Sequence, residues 1–142
     1  MPRKLVTTTL RPDMLIMSEA RKLVVLVELT VPWEDRIDEA HELKGAKYSD
    51  LVESINLNGW HVHYFPVEVG SRGYPAKSLG FMFKSLGLSS RDSRSACRSA
   101  GDAAEESSRW IWLKRTEPWK CGYCLLVFSY YESCLYVSGD SG

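Results

Sequence analysis

What this 142-residue sequence lacks narrows its reading before any motif does. No apolar run is long or clean enough for the roughly 20 residues that a bilayer-spanning helix needs, which excludes a membrane partner at this level. The opening MPRKLVTTTL has two basic residues but only a short, Thr-rich sequel, so no secretory leader is expected from it. Cysteine is sparse: Cys97, Cys121, Cys124 and Cys134. Cys121-Gly122-Tyr123-Cys124 has the spacing of one zinc-knuckle arm, but no second arm matches it, so free thiols in a reducing compartment are expected. An excess of either charge is also missing, with 18 basic and 18 acidic side chains. Their distribution is uneven. Residues 1–69 hold eight basic and eleven acidic side chains, and residues 70–120 hold ten and five. An acidic half that can gather a cation is joined to a basic half that can face phosphates.

Against these absences, two Val/Ile/Leu-rich runs stand out, MLIMS and LVVLVELTV, separated by the polar cluster Glu19-Ala20-Arg21-Lys22. They predict a β-hairpin. With the turn centred between Ala20 and Arg21, facing residues have numbers that sum to about 41, which sets Asp13 across from Glu28. Two carboxylates on facing positions repel unless a cation lies between them or one is protonated. Glu28 also interrupts an apolar strand, a costly place for a charge with no partner. A divalent-metal site accounts for the pair; so does an edge hairpin with its acids in water.

Pro32 stops the strand, and Glu34 or Asp35 can open a helix running to about Asn56. Ile37, Ala40, Tyr48, Leu51, Val52 and Ile55 recur at helical spacing. Lys44 falls in the middle of that stripe and Lys47 on its flank. A lysine so placed either snorkels outward or meets buried carboxylates.

These residues resemble a known family. R-P-D, a spacer of fourteen residues, E-L-T and then a helical K-x-x-K-Y look like the PD-(D/E)XK nuclease superfamily. The closer likeness is to the restriction-like endonuclease domain of site-specific non-LTR retrotransposons. VELTVPWE, AHELKGAKY and PVEVGSRGY resemble a segment found downstream of reverse transcriptase in retroelement-derived reading frames, and the likeness spans roughly Leu10 to Trp119. The resemblance implies a Mg²⁺- or Mn²⁺-dependent nuclease with Asp13 and Glu28 as metal ligands and Lys44 or Lys47 as the catalytic lysine. It implies a DNA duplex as target, a larger polyprotein with reverse transcriptase as partner, and a nuclear site of action, or otherwise a cytoplasmic one. One departure is clear: the lysine usual two residues after the second acid is Thr30 here, so the helix must supply it. If neither lysine reaches the acids, the expectation becomes an inactive nuclease-like module that binds nucleic acid or protein, or a non-functional transposon remnant.

The expected fold is therefore α/β: a small mixed sheet of hairpin and parallel strand, a crossover helix between them, and C-terminal helices. Residues 1–10 are too few for the elements that normally precede the P-D strand and read as an N-terminal remnant of a truncated core. The nuclease-like core is expected at 11–75, a helical part at 76–120, and a tail of unassigned role at 121–142. In the parallel strand, Trp60, Val62, Tyr64, Pro66 and Glu68 point one way, with His61, His63, Phe65, Val67 and Val69 opposite. Pro66 suggests a bulge or an edge. Glu68 is an accessory acid or, by preference, a solvent partner of Arg72. His61 and His63 share a face and read as solvated. Gly70 to Pro75 is a turn-rich loop whose Arg72 suits a phosphate. Residues 76–86 predict a short helix with Leu79, Phe83 and Leu86 inward. Ser89 or Ser90 caps a longer one to about Lys114, with a small-residue seam of Ala96, Ala100, Ala103, Ala104, Ser107 and Ile111. Arg91, Arg94, Arg98 and Arg109 form either a ridge for DNA backbone or a solvated face, and Arg11 is a further phosphate contact by resemblance. Trp110, Trp112 and Trp119 read as core or interface residues.

Overall fold

Val, Leu and Ile crowd two strands that can only be buried together, and the sheet grows from them. The computed structural model describes residues 6–116. In it β1 (Met14–Ser18) and β2 (Leu23–Thr30) form the antiparallel hairpin. Met14 faces Val27 and Ser18 faces Leu23, the register set by a turn centred between Ala20 and Arg21. Lys22 adopts a positive φ of 50°, and its amide bonds the Glu19 carbonyl at 3.3 Å to close the loop.

After Pro32 a single 3₁₀ turn, Glu34–Arg36, precedes α1 (Ile37–Leu57). Gly59 follows the helix with φ of 79°, a left-handed position that costs glycine nothing. The chain then returns as β3 (His61–Glu68), parallel to β2, so the sheet order is β1-β2-β3. Hydrogen bonds from His61 to the Lys22 carbonyl and from Val69 to the Thr30 carbonyl fix which amides face β2. Alternation puts the nitrogen of Pro66 on the other, open side, where a missing N–H breaks no ladder bond. Pro66 marks an edge strand, not a bulge.

The sheet separates two apolar layers. Val24 and Leu26 pack under α1 with Tyr48, Leu51, Ile55 and Trp60. Val25, Val27, Phe65, Val67 and Val69 pack on the opposite face against α2 (Lys77–Ser85) and α3 (Ser90–Lys114), through Leu79, Met82 and Ala104. Each such side chain contributes roughly 1.5–3 kcal/mol on burial. Ser89 caps α3, its hydroxyl accepting from the Asp92 amide at 3.1 Å.

Two expectations need correction here. In α2 it is Met82 that is buried, whereas Leu86 lies beyond the helix end and is exposed. The seam of α3 is buried only over its first half: Ala104 is buried and Ala96 and Ala100 partly so, whereas Ala103, Ser107 and Ile111 face outward. Trp110 and Trp112 are exposed as well, so neither is a core residue. Among the described residues no helix is long and apolar enough to cross a membrane. Residues 121–142, with Cys121, Cys124 and Cys134, and Trp119 lie outside the described residues; Cys97 is a free thiol.

Candidate active site on the face of the sheet under α1

The even-numbered residues of β2 point toward α1, so Glu28 and Thr30 extend the row begun by Val24 and Leu26. Glu28 is 5% exposed. From above, α1 meets the sheet with His41, Lys44 and Tyr48, positions one or two turns apart on a single helix face. The Lys44 Nζ lies 2.5 Å from Glu28 Oε1, and the Tyr48 hydroxyl donates to Oε2 at 2.9 Å. The same hydroxyl is 3.1 Å from the Arg11 carbonyl, tying the segment before β1 to the helix. The buried acid is thus met by one cation and one neutral donor, the condition under which a carboxylate tolerates an interior position.

Continuing the hairpin register one step beyond Met14 and Val27 sets Asp13 opposite Glu28. Asp13 is exposed, and its Oδ2 accepts from the Leu29 amide at 2.8 Å. Burial raises the Tyr48 phenol well above the ordinary tyrosine range, and the bond to Glu28 adds to the shift. Tyr64, whose hydroxyl donates to the Lys44 carbonyl at 3.0 Å, is raised first by burial and then by Glu28, Glu68 and Asp13. Both phenols therefore remain donors, with three carboxylates ranged around them.

Of the residues singled out in the sequence, Lys44 meets Glu28, while Lys47 is exposed with its ammonium 5.2 Å from the Tyr48 ring centroid. Arg11 is exposed beside Asp13 in the chain. Arg72 packs over the Trp33 ring at 5.8 Å, and its amide donates to Glu34 Oε1 at 2.7 Å. That bond holds the Glu34 carboxyl below the usual range. Arg91, Arg94 and Arg98 lie exposed on α3, which packs on the opposite face of the sheet.

The preferred pairing of Glu68 with Arg72 is overturned. Glu68 is 1% exposed; His41 Nδ1 lies 3.0 Å from Oε1, and the Ser78 hydroxyl donates to Oε2 at 2.6 Å. Arg72 turns to Glu34 instead, with Nε 3.6 Å from Oε2. His41 was missed in the sequence, although it stands one turn before Lys44 on the helix face that meets the sheet. No local signal marks Ser78, which reaches Glu68 only because the loop after β3 folds α2 back onto it.

Among the described residues, Asp13 Oδ1 meets no protein donor, each Glu28 oxygen carries one donor and retains a lone pair, and Thr30 Oγ1 is buried without a partner. Mg²⁺ binds through one or two carboxylates and completes its shell with waters and substrate phosphate, so these residues fit it. Among the described residues no group of three or more His, Cys, Asp or Glu is placed to hold a metal by protein atoms alone. Fold and site together define a mixed α/β domain with a buried carboxylate–lysine pair beneath its crossover helix. No protein-family model, curated protein or solved structure matches the chain.

Proposed function

We propose that this chain is a Mg²⁺- or Mn²⁺-dependent DNA endonuclease-like domain of the PD-(D/E)XK kind and of retroelement origin. Its task would be to nick target DNA so that the free 3′ end primes reverse transcription, alongside a reverse transcriptase and in the nucleus. The supporting observation is the meeting of Lys44 with Glu28, across the hairpin from Asp13.

Asp13 and Glu28 would hold the metal, which when bound lowers the pKa of a water and stabilises charge on the phosphoryl oxygens. The Leu29 amide and the Tyr48 hydroxyl keep the two carboxylates oriented. An ammonium has three donors. With one on Glu28, the other two of Lys44 remain to orient an attacking water or steady a scissile phosphate. Arg11, exposed two residues before Asp13, would contact a neighbouring phosphate.

A second reading has an observation of its own: both Glu28 oxygens already carry a protein donor, as in a nuclease fold that has become a binding module. Plasmid nicking with Mg²⁺ separates the two. Wild type should nick, and Asp13→Ala and Glu28→Ala should not. Nicking retained by both variants would dismiss the site. DNA binding without nicking, weakening as salt rises, would favour the binding module.

A further inference from the structure

Beside the Glu28 centre, at the open edge of β3, α1 and α2 enclose a pocket of about 570 Å³ that the cleavage scheme does not use. Its floor is Glu68, held by His41 and Ser78. Its walls include Pro66, Tyr74 and Phe81, the last two largely exposed. Lys77 and Asp38 complete the polar rim.

We propose that this pocket binds a single unpaired nucleotide. With Nδ1 directed at Glu68, the ring nitrogen of His41 left for a ligand is Nε2. Lys77 gives a charged donor for a phosphate and His41 Nε2 a second polar contact, while the Asp38 charge turns that phosphate toward the Lys77 side. A carboxylate accepts from an exocyclic amino group, as on cytosine, so Asp38 reads the base edge. Tyr74 and Phe81 supply the ring surface on which a base stacks. The volume lies in the range of pockets that take small ligands. The inference deepens the nucleic-acid reading and rests on it only for the source of the nucleotide, which is either free or displaced from a strand. Tyr64 joins the two sites: its ring lines the pocket and its hydroxyl bonds the carbonyl of Lys44.

Calorimetric titration of the full chain tests this with deoxycytidine monophosphate, thymidine monophosphate, deoxycytidine and inorganic phosphate. The cytidine nucleotide should bind tightest. Lys77→Ala should weaken it by about tenfold, the loss of one charged hydrogen bond. Tyr74→Ala should cost on the order of tenfold through lost stacking. Both residues are exposed, so neither change threatens the fold. His41→Gln, checked for folding by circular dichroism, should weaken the nucleotide but not the nucleoside. Asp13→Ala should leave nucleotide affinity unchanged while removing nicking, so the two readings fail separately. A duplex with a single-cytidine bulge that outcompetes the fully paired duplex assigns the nucleotide to a strand; equal competition assigns it to the free pool. No heat with the cytidine nucleotide, or equal affinities for nucleotide and nucleoside, would overturn the proposal.

Discussion

The carboxylate of Glu28 lies where an unpaired charge is costly, and Lys44 and Tyr48 between them make its burial tolerable. Removing one member of such a pair costs roughly 3–5 kcal/mol, and the partial exposure of Lys44 puts Lys44→Ala toward the lower end. Urea unfolding should register that loss, with Lys44→Gln recovering part of it because an amide still donates to Glu28. Tyr48 and Tyr64 predict a pH dependence. Their folded-state pKa values are raised, so the stability they contribute is complete below the unfolded value of about 10. It is lost as pH rises from there through the folded values. Stability measured from neutral to alkaline pH should fall beyond that point, and Tyr48→Phe should be less stable at neutral pH but show a shallower alkaline decline. The pairing of Glu28 with Lys44 was legible because an acid broke an apolar strand and a lysine broke an apolar helical stripe. Glu68 was misread because its partners, His41 and Ser78, come from two other elements, and chain neighbours do not reveal which side of an edge strand is covered.

At the scale of elements, the hairpin could be read to the residue, since a four-residue polar cluster between two β-rich runs leaves little freedom in register. The face of α3 was legible as a seam, but not how far that seam is covered. Small residues say that something can come close; they do not say where the neighbouring element ends. A glycine pair brings α3 close against the loop after β3. Gly73 holds φ of 87° in the loop after β3, and its carbonyl oxygen occupies the space a Cβ on Gly101 would need. Gly101→Ala should therefore force loop and helix apart, costing about 1–3 kcal/mol by overpacking. Thermal unfolding should show it, and Gly45→Ala, where a Cβ meets nothing, is the control.

At the scale of the molecule, the sheet sorts chemistry by face. Glu28, Lys44, Tyr48, Tyr64, Glu68 and His41 lie beneath α1, whereas the arginine row of α3 belongs to the helices on the other side. The sequence divides into an acidic and a basic half, but that division does not reveal that α1 packs on one face of the sheet and α3 on the other. On the proposed reading, a duplex at the carboxylates would be met first by Arg11 and the Lys44 side, while Arg91, Arg94 and Arg98, on α3 across the sheet, would serve only a strand that wraps around it. The most direct measurement compares Mg²⁺-dependent nicking by Lys44→Gln and Lys47→Gln, each confirmed as folded by circular dichroism. Lys44→Gln should lose nicking and Lys47→Gln should keep it. Undiminished cleavage by folded Lys44→Gln would contradict the assignment of the buried pair to the chemistry.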